Sequence, residues 1–177
     1  STVMMEEVMS RAESCGLSET SVHRVYQAEP GFGTGYAYER YPLWRGHLTG
    51  SDDGQPVAPL LGDIKGYDGG TTDLQVGPVT FALAYCDYVV IYRFTPVSKD
   101  RCECDITWLV NGEAVEGKDY DKARLTWLWD VTTLADKRII EDNAKGVKSR
   151  YYEPGPYSEM EDYTWKFTSW YMDAIKP

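Results

Sequence analysis

From Asp119 to Arg150 the sequence runs DYDKARLTWLWDVTTLADKRIIEDNAKGVKSR, with no proline and a single glycine, Gly146, near its end. A run of this length without a breaker reads as one long helix. At about 100° per residue, Leu125, Trp129, Thr132, Ile139, Ile140, Asn143 and Val147 fall on one side. Lys137, Arg138, Glu141, Lys145 and Lys148 fall on the other, with Asp142 at the margin. That pattern predicts a helix laid against a core by one face. Asp136 lies in the middle of the apolar side, three residues before Ile139 and four before Ile140. A carboxylate in an apolar interior needs a partner. Two readings stay open: Asp136 meets a backbone N–H or an arginine of another element, or it faces a cavity or a metal.

Upstream the pattern changes to strands. Alternation predicts strands over Leu74–Tyr85, Tyr88–Val97 and Arg101–Val110, the first two joined through Cys86-Asp87. Phe81, Leu83 and Tyr85 share one face; Val90, Tyr92 and Phe94 point inward because Arg93 points out. Glu103 and Asp105 point out, so Cys104, Ile106, Trp108 and Val110 point in. A further strand is expected over Gly35–Leu43, a short helix from Thr2 or Val3 to Cys15, and loop over 18–33. Residues Gly50 to Gly70 are rich in Gly, Pro and Asp, and so long a loop reads as functional or as an interface arm. Asn111-Gly112 marks a turn into the long helix. Glu153-Pro154-Gly155-Pro156 stops regular structure, and Ser158 with Glu161 forms a capping box for a last helix over Glu159–Ile175. Strands followed by two helices give an α+β chain with helices against an antiparallel sheet, in one domain over 1–177.

Charge narrows the partners. The net charge of −10 argues against nucleic acid and anionic membranes, which need clustered Lys and Arg. With no run long enough to span a membrane and no signal-peptide pattern, a cytoplasmic protein is expected. Four cysteines, Cys15, Cys86, Cys102 and Cys104, are too sparse for a disulfide framework and read as reduced. Gly31 to Gly35 is glycine-rich but does not open a helix, so no nucleotide site is read there. No motif supports a Ser/His/Asp nucleophile, and no catalytic residue is assigned. The 14 Tyr and 6 Trp suit a roomy pocket or an interface as well as a β-rich core.

The run Ala135 to Ser158, with Met160-Glu161 and Phe167-Thr168-Ser169-Trp170-Tyr171, resembles the C-terminal catalytic domain of Rieske non-haem iron oxygenases. These are the large subunits of aromatic-ring-hydroxylating dioxygenases and their relatives. Asp136, Glu141 and Gly146 match the family's helix spacing. Ser149, Arg150, Tyr151, Pro154, Gly155, Tyr157, Ser158 and Glu161 match its tail, while Ala144 stands where a glutamine is frequent. A looser likeness extends upstream through Tyr38 to Leu43. The resemblance implies a helix-grip, lipid-transfer-like fold, a curved sheet wrapped on a long helix around a cavity. It makes Asp136 a ligand of a mononuclear Fe(II). It implies hydroxylation of an aromatic or similar apolar substrate by O2, with electrons from a reductase or ferredoxin through a [2Fe-2S] Rieske cluster. It also implies a homo-oligomer, a trimer, when intact.

The family's iron takes two histidines from a close pair, but His23 and His47 stand 24 residues apart in this sequence. No Cys-x-His occurs for a Rieske cluster. The expectation is a catalytic-domain fragment with the histidine pair and the Rieske domain upstream, inactive alone and holding no iron tightly. Phe81, Tyr85, Tyr92, Phe94, Trp108 and Asn143 are the expected substrate-pocket walls. The rival reading is a non-catalytic small-molecule-binding protein of the helix-grip fold. A third is a structural or oligomerisation module.

Overall fold

Six strands form one antiparallel sheet in which spatial order follows chain order. They are β1 (Arg24–Gln27), β2 (Tyr36–Pro42), β3 (Gly70–Val76), β4 (Thr80–Ala84), β5 (Val89–Ser98) and β6 (Arg101–Leu109). Two helices follow, α1 (Lys122–Gly146) and, after one 3-10 turn at Glu159–Glu161, α2 (Asp162–Ala174). The chain is therefore α+β. The computed structural model describes residues 24–27 and 35–177, so the helix expected over Thr2–Cys15 lies outside the described residues.

Two strands differ from the sequence reading. Arg24–Gln27, inside the expected loop, pairs with β2 as Arg24↔Glu39 through Gln27↔Tyr36. The expected single strand Leu74–Tyr85 is a hairpin. Gly77 takes φ +59°, a backbone that favours glycine. Pro78 follows with no N–H for a ladder. Together they fold β3 back onto β4. β5 and β6 fall close to expectation and pair from Val89↔Leu109 to Ser98↔Arg101 with one irregularity at Pro96/Ser98. Partners across a ladder share a face. The registers thus align Gln75, Phe81, Tyr92 and Ile106 in one row and Asp73, Leu83, Val90 and Trp108 in the next.

The core sits at the end of the sheet where β4 turns into β5. Val57, Tyr85, Tyr88, Val90 and Leu125 form it. The 50–70 segment has no strand in its first twenty residues, yet its first part is packed into this corner. Asp87, fully buried, accepts from Thr49 Oγ1 at 2.5 Å and from the Val57 N–H at 3.0 Å. Tyr88 donates its phenol to the Gly50 carbonyl at 2.6 Å. Gly50 is needed because a Cβ there would lie 2.4 Å from the Tyr85 ring. The segment as far as Ala58 is thus part of the core, while residues 62–66 are exposed.

Helix α1 begins at Asp121, whose side chain accepts from the Arg124 N–H at 2.8 Å. Leu125 is buried, Trp129 donates its indole N–H to Tyr88 at 2.9 Å, and Thr133 bonds the Tyr92 hydroxyl at 2.7 Å. At the far end Lys148 pairs with Asp100, beside the β5–β6 turn, at 3.0 Å. Between these ties the expected burial fails. Thr132, Asp136, Ile139, Ile140, Asn143 and Val147 are all exposed, Ile139 and Ile140 by more than 60%. Periodicity reports which residues share a side of a helix. It does not report whether anything lies against that side, and from Leu134 to Val147 these positions are exposed.

Candidate functional site

Asp136 is exposed on α1, so it is not a charge held in an apolar interior. The opposite side of the helix is neutralised within itself, by Lys137 with Glu141 at 2.8 Å and Lys145 with Asp142 at 3.0 Å. The Lys137 ammonium holds the Glu141 carboxyl below its usual range. His47 packs its ring against Gly54, where a Cβ would lie 2.4 Å from the imidazole. His23 lies outside the described residues. No three His, Cys, Asp or Glu side chains converge among the described residues. A mononuclear iron of the facial-triad kind takes two imidazoles and one carboxylate. The described residues offer the carboxylate alone, so they do not fit that ion by themselves.

The wall candidates separate into groups. Phe81, Tyr92, Phe94 and Trp108 share one face of the sheet by register. Their rings touch, Phe81 to Phe94 edge-on at 6.0 Å and Tyr92 to Phe94 stacked at 6.3 Å. Tyr92 meets Trp129 of α1 edge-on at 6.0 Å. The Trp108 indole N–H has no hydrogen-bond partner among the described residues. Tyr85 belongs to the core, stacked on Tyr88 at 4.7 Å. Asn143 stands exposed on the uncovered half of α1. Cys104 was expected inward with this set but is exposed, because the far half of the sheet face carries no cover. Burial pushes the Tyr85 phenol up to about 12, with Asp73 and Asp87 adding repulsion. Burial likewise raises Tyr88 and Tyr92. These phenols are therefore neutral near pH 7 and act as hydrogen-bonding groups, not bases.

A cleft of about 520 Å³ opens between β2–β4 and α2. Asp73, Gln75, Phe81 and Leu83 line it from one face of the sheet, and Thr164 and Phe167 line it from α2. The volume is in the range of small-molecule sites. Of the wall candidates only Phe81 lines it. Sequence reasoning missed Asp73 because it begins the strand at Leu74, and it did not single out Gln75 although that residue alternates with Phe81 and Leu83 inside the expected strand. With β3 starting at Gly70, Thr71, Asp73 and Gln75 become one alternating set, the signal that would have found them. Thr164 and Phe167 gave no such signal, since α2 reads only as a terminal helix.

Cys86, Cys102 and Cys104 are free thiols. No helix among the described residues is long and apolar enough to cross a membrane.

A family model described as the ring hydroxylating alpha subunit (catalytic domain) matches residues 11–176. The chain is also similar to two curated relatives, each called a glycine betaine monooxygenase oxygenase subunit. One, from Pseudomonas aeruginosa, is 33% identical over 160 residues, 89% of this chain and 37% of the relative. The other, from Chromohalobacter salexigens, is 31% identical over 146 residues, 81% of this chain and 33% of the relative. The chain thus spans about a third of the length of these relatives.

Proposed function

The chain belongs to the ring-hydroxylating alpha-subunit catalytic-domain family of Rieske non-haem iron oxygenases, and from that premise we propose that it is the C-terminal part of an oxygenase subunit acting on a small methylated ammonium compound such as glycine betaine. The observation that carries the substrate is the likeness to the two oxygenase subunits so named, over most of this chain. It displaces the aromatic substrate expected from the wider family. The ring-lined sheet face and the net charge of −10 agree with it, because aromatic faces and negative charge both attract an organic cation.

In the intact enzyme Asp136 would be the iron carboxylate, and the remainder of the subunit would supply the paired histidines and the [2Fe-2S] cluster. That remainder covers the exposed side of α1. Iron held there would supply the redox chemistry for O2. This chain's own residues shape the organic site beside it. α1, tied to the sheet at Tyr88 and at Asp100, fixes where Asp136 stands. The sheet and α1 form the helix-grip frame, and the intact subunit assembles as a trimer.

The reaction balances as follows. One N-methyl carbon of the substrate leaves as formaldehyde with one atom of O2, and the other atom leaves as water. Two electrons come from a reductase and two protons from the solvent, and the amine keeps one fewer methyl. The test is the full-length protein, loaded with iron and cluster and supplied with a reductase, NAD(P)H and glycine betaine. Formaldehyde should appear with O2 uptake, one for one, and Asp136→Asn should abolish both iron retention and turnover. Ligand binding without any substrate-dependent O2 uptake by the loaded protein would favour the non-catalytic carrier instead.

A further inference from the structure

Among the free thiols of the described residues, Cys102 and Cys104 stand two positions apart on β6, and both are exposed. Cysteine is among the residue types most often buried, so an exposed pair on one strand asks for a reason. Positions two apart share a face of a strand. Their cross-strand partners on that face are Pro96 and Phe94. The charges of this edge, Arg101, Glu103 and Asp105, alternate with the thiols and so belong to the other face. We propose that Cys102 and Cys104 together bind one soft, two-coordinate cation, monovalent copper. The proposal does not depend on the oxygenase reading.

Geometry separates this use of a cysteine pair from the two commoner ones. Residues i and i+2 of a strand are about 6.7 Å apart. A disulfide holds its Cβ atoms about 3.5–4.5 Å apart. The pair therefore cannot close a disulfide while β6 keeps its ladder to β5. A cation between the sulfurs lengthens the bridge. Metal–thiolate bonds of about 2.3 Å, the value for zinc, span about 4.6 Å between sulfurs when placed in line. Opposed χ1 rotamers of the two side chains can meet that span. Zinc itself takes four ligands, and no three His, Cys, Asp or Glu side chains converge among the described residues. Thiolates select monovalent copper, which accepts two. Pro96 and Phe94 bring no side-chain oxygen for a hard cation. Cys102 donates only a weak bond, to the Glu103 carbonyl at 3.6 Å, which a metal can replace. Partial burial first, then the nearby Cys102 and Asp105, push the Cys104 thiol up, so binding has to displace protons. Two thiols and one monovalent cation become an anionic bis-thiolate complex, two protons pass to solvent, and no electron moves.

For the test, full-length protein, reduced and kept under nitrogen, is titrated with Cu(I) against a chromogenic Cu(I) chelator. Wild type should take up one equivalent more than Cys102→Ser. It should exceed Cys104→Ser and the double variant by the same one equivalent, because one thiol alone cannot hold the ion. The ultraviolet thiolate-to-copper absorption should rise with that equivalent in wild type only. Serine nearly matches cysteine in size and both positions are exposed, so the fold should bear all three variants. Zn(II) at the same concentration should not lower the uptake. Equal uptake by wild type and either single variant would overturn the assignment, and so would displacement by Zn(II). Partial losses in the single variants that add up in the double would show two independent thiols and overturn it as well. A full-length protein in which the remainder covers both thiols, so that neither reacts with copper or with a thiol reagent, would do the same.

Discussion

Tyr88 is the residue on which the buried corner closes. Its phenol gives its proton to the Gly50 carbonyl and accepts from the Trp129 indole, so one oxygen joins the 50–70 segment, β5 and α1. Tyr88→Phe removes both partners at once and leaves two polar groups unsatisfied at a fully buried position, which should cost about 2–4 kcal/mol. Urea melts measure it, and a loss under about 0.5 kcal/mol would mean that the corner is wetter than its burial indicates. Gly50→Ala should be destabilising at the same corner, since the new methyl meets the Tyr85 ring. Nothing in the sequence marks Gly50 or Tyr88 for this role, because the contact joins positions 38 residues apart. Asp136 is the opposite case. The sequence singles it out by position and by likeness to a known iron carboxylate, yet periodicity alone placed it in an interior that this chain does not build.

The two ends of α1 behave as different elements. Leu125 is almost fully buried, and Leu125→Ala should cost about 2–5 kcal/mol. Leu134 and Ile139 are more than 60% exposed, so Leu134→Ser and Ile139→Ser should leave the melting temperature of this chain within a degree or two, or about 0.5 kcal/mol. In the full-length subunit the same pair should be destabilising if the remainder covers this side. The start of α2 carries a pH signal. Glu161 accepts from the Ser158 N–H at 2.8 Å and from its hydroxyl at 2.9 Å, which holds the carboxyl below the ordinary value of 4.5. A depressed folded pKa gives a cap that is fully present above 4.5 and lost as pH falls through the lower folded value. The Ser158 amide resonance should therefore titrate with a midpoint below 4.5, and a midpoint at or above it would remove the capping box. This box was legible from Ser158 and Glu161 alone, because capping is a local matter of spacing. The β3–β4 hairpin was not. Its two strands carry matching alternation on either side of Gly77-Pro78, so they read as one.

At the scale of the whole molecule, the architecture was legible where neighbours in sequence are neighbours in space, as in β5 and β6. It was not legible in β1, whose four residues are too few to show a period. The strict order of the sheet also leaves β6 last, bonded to β5 alone among the described strands. A row of open N–H and C=O groups of this kind invites a second chain to add a strand, the first step of aggregation. The charges on β6 oppose that step. Arg101 pairs with Glu103, and Asp105 with Arg93 of β5 at 2.9 Å, and all four are exposed. Each approaching copy would have to strip water from these groups and meet its own like charges. Replacing Glu103 and Asp105 together with valine should make the chain scatter light and bind thioflavin at concentrations where the wild type does not. If the double variant stays clear at concentrations where the wild type is clear, the charges along β6 are not what keeps copies of this protein apart.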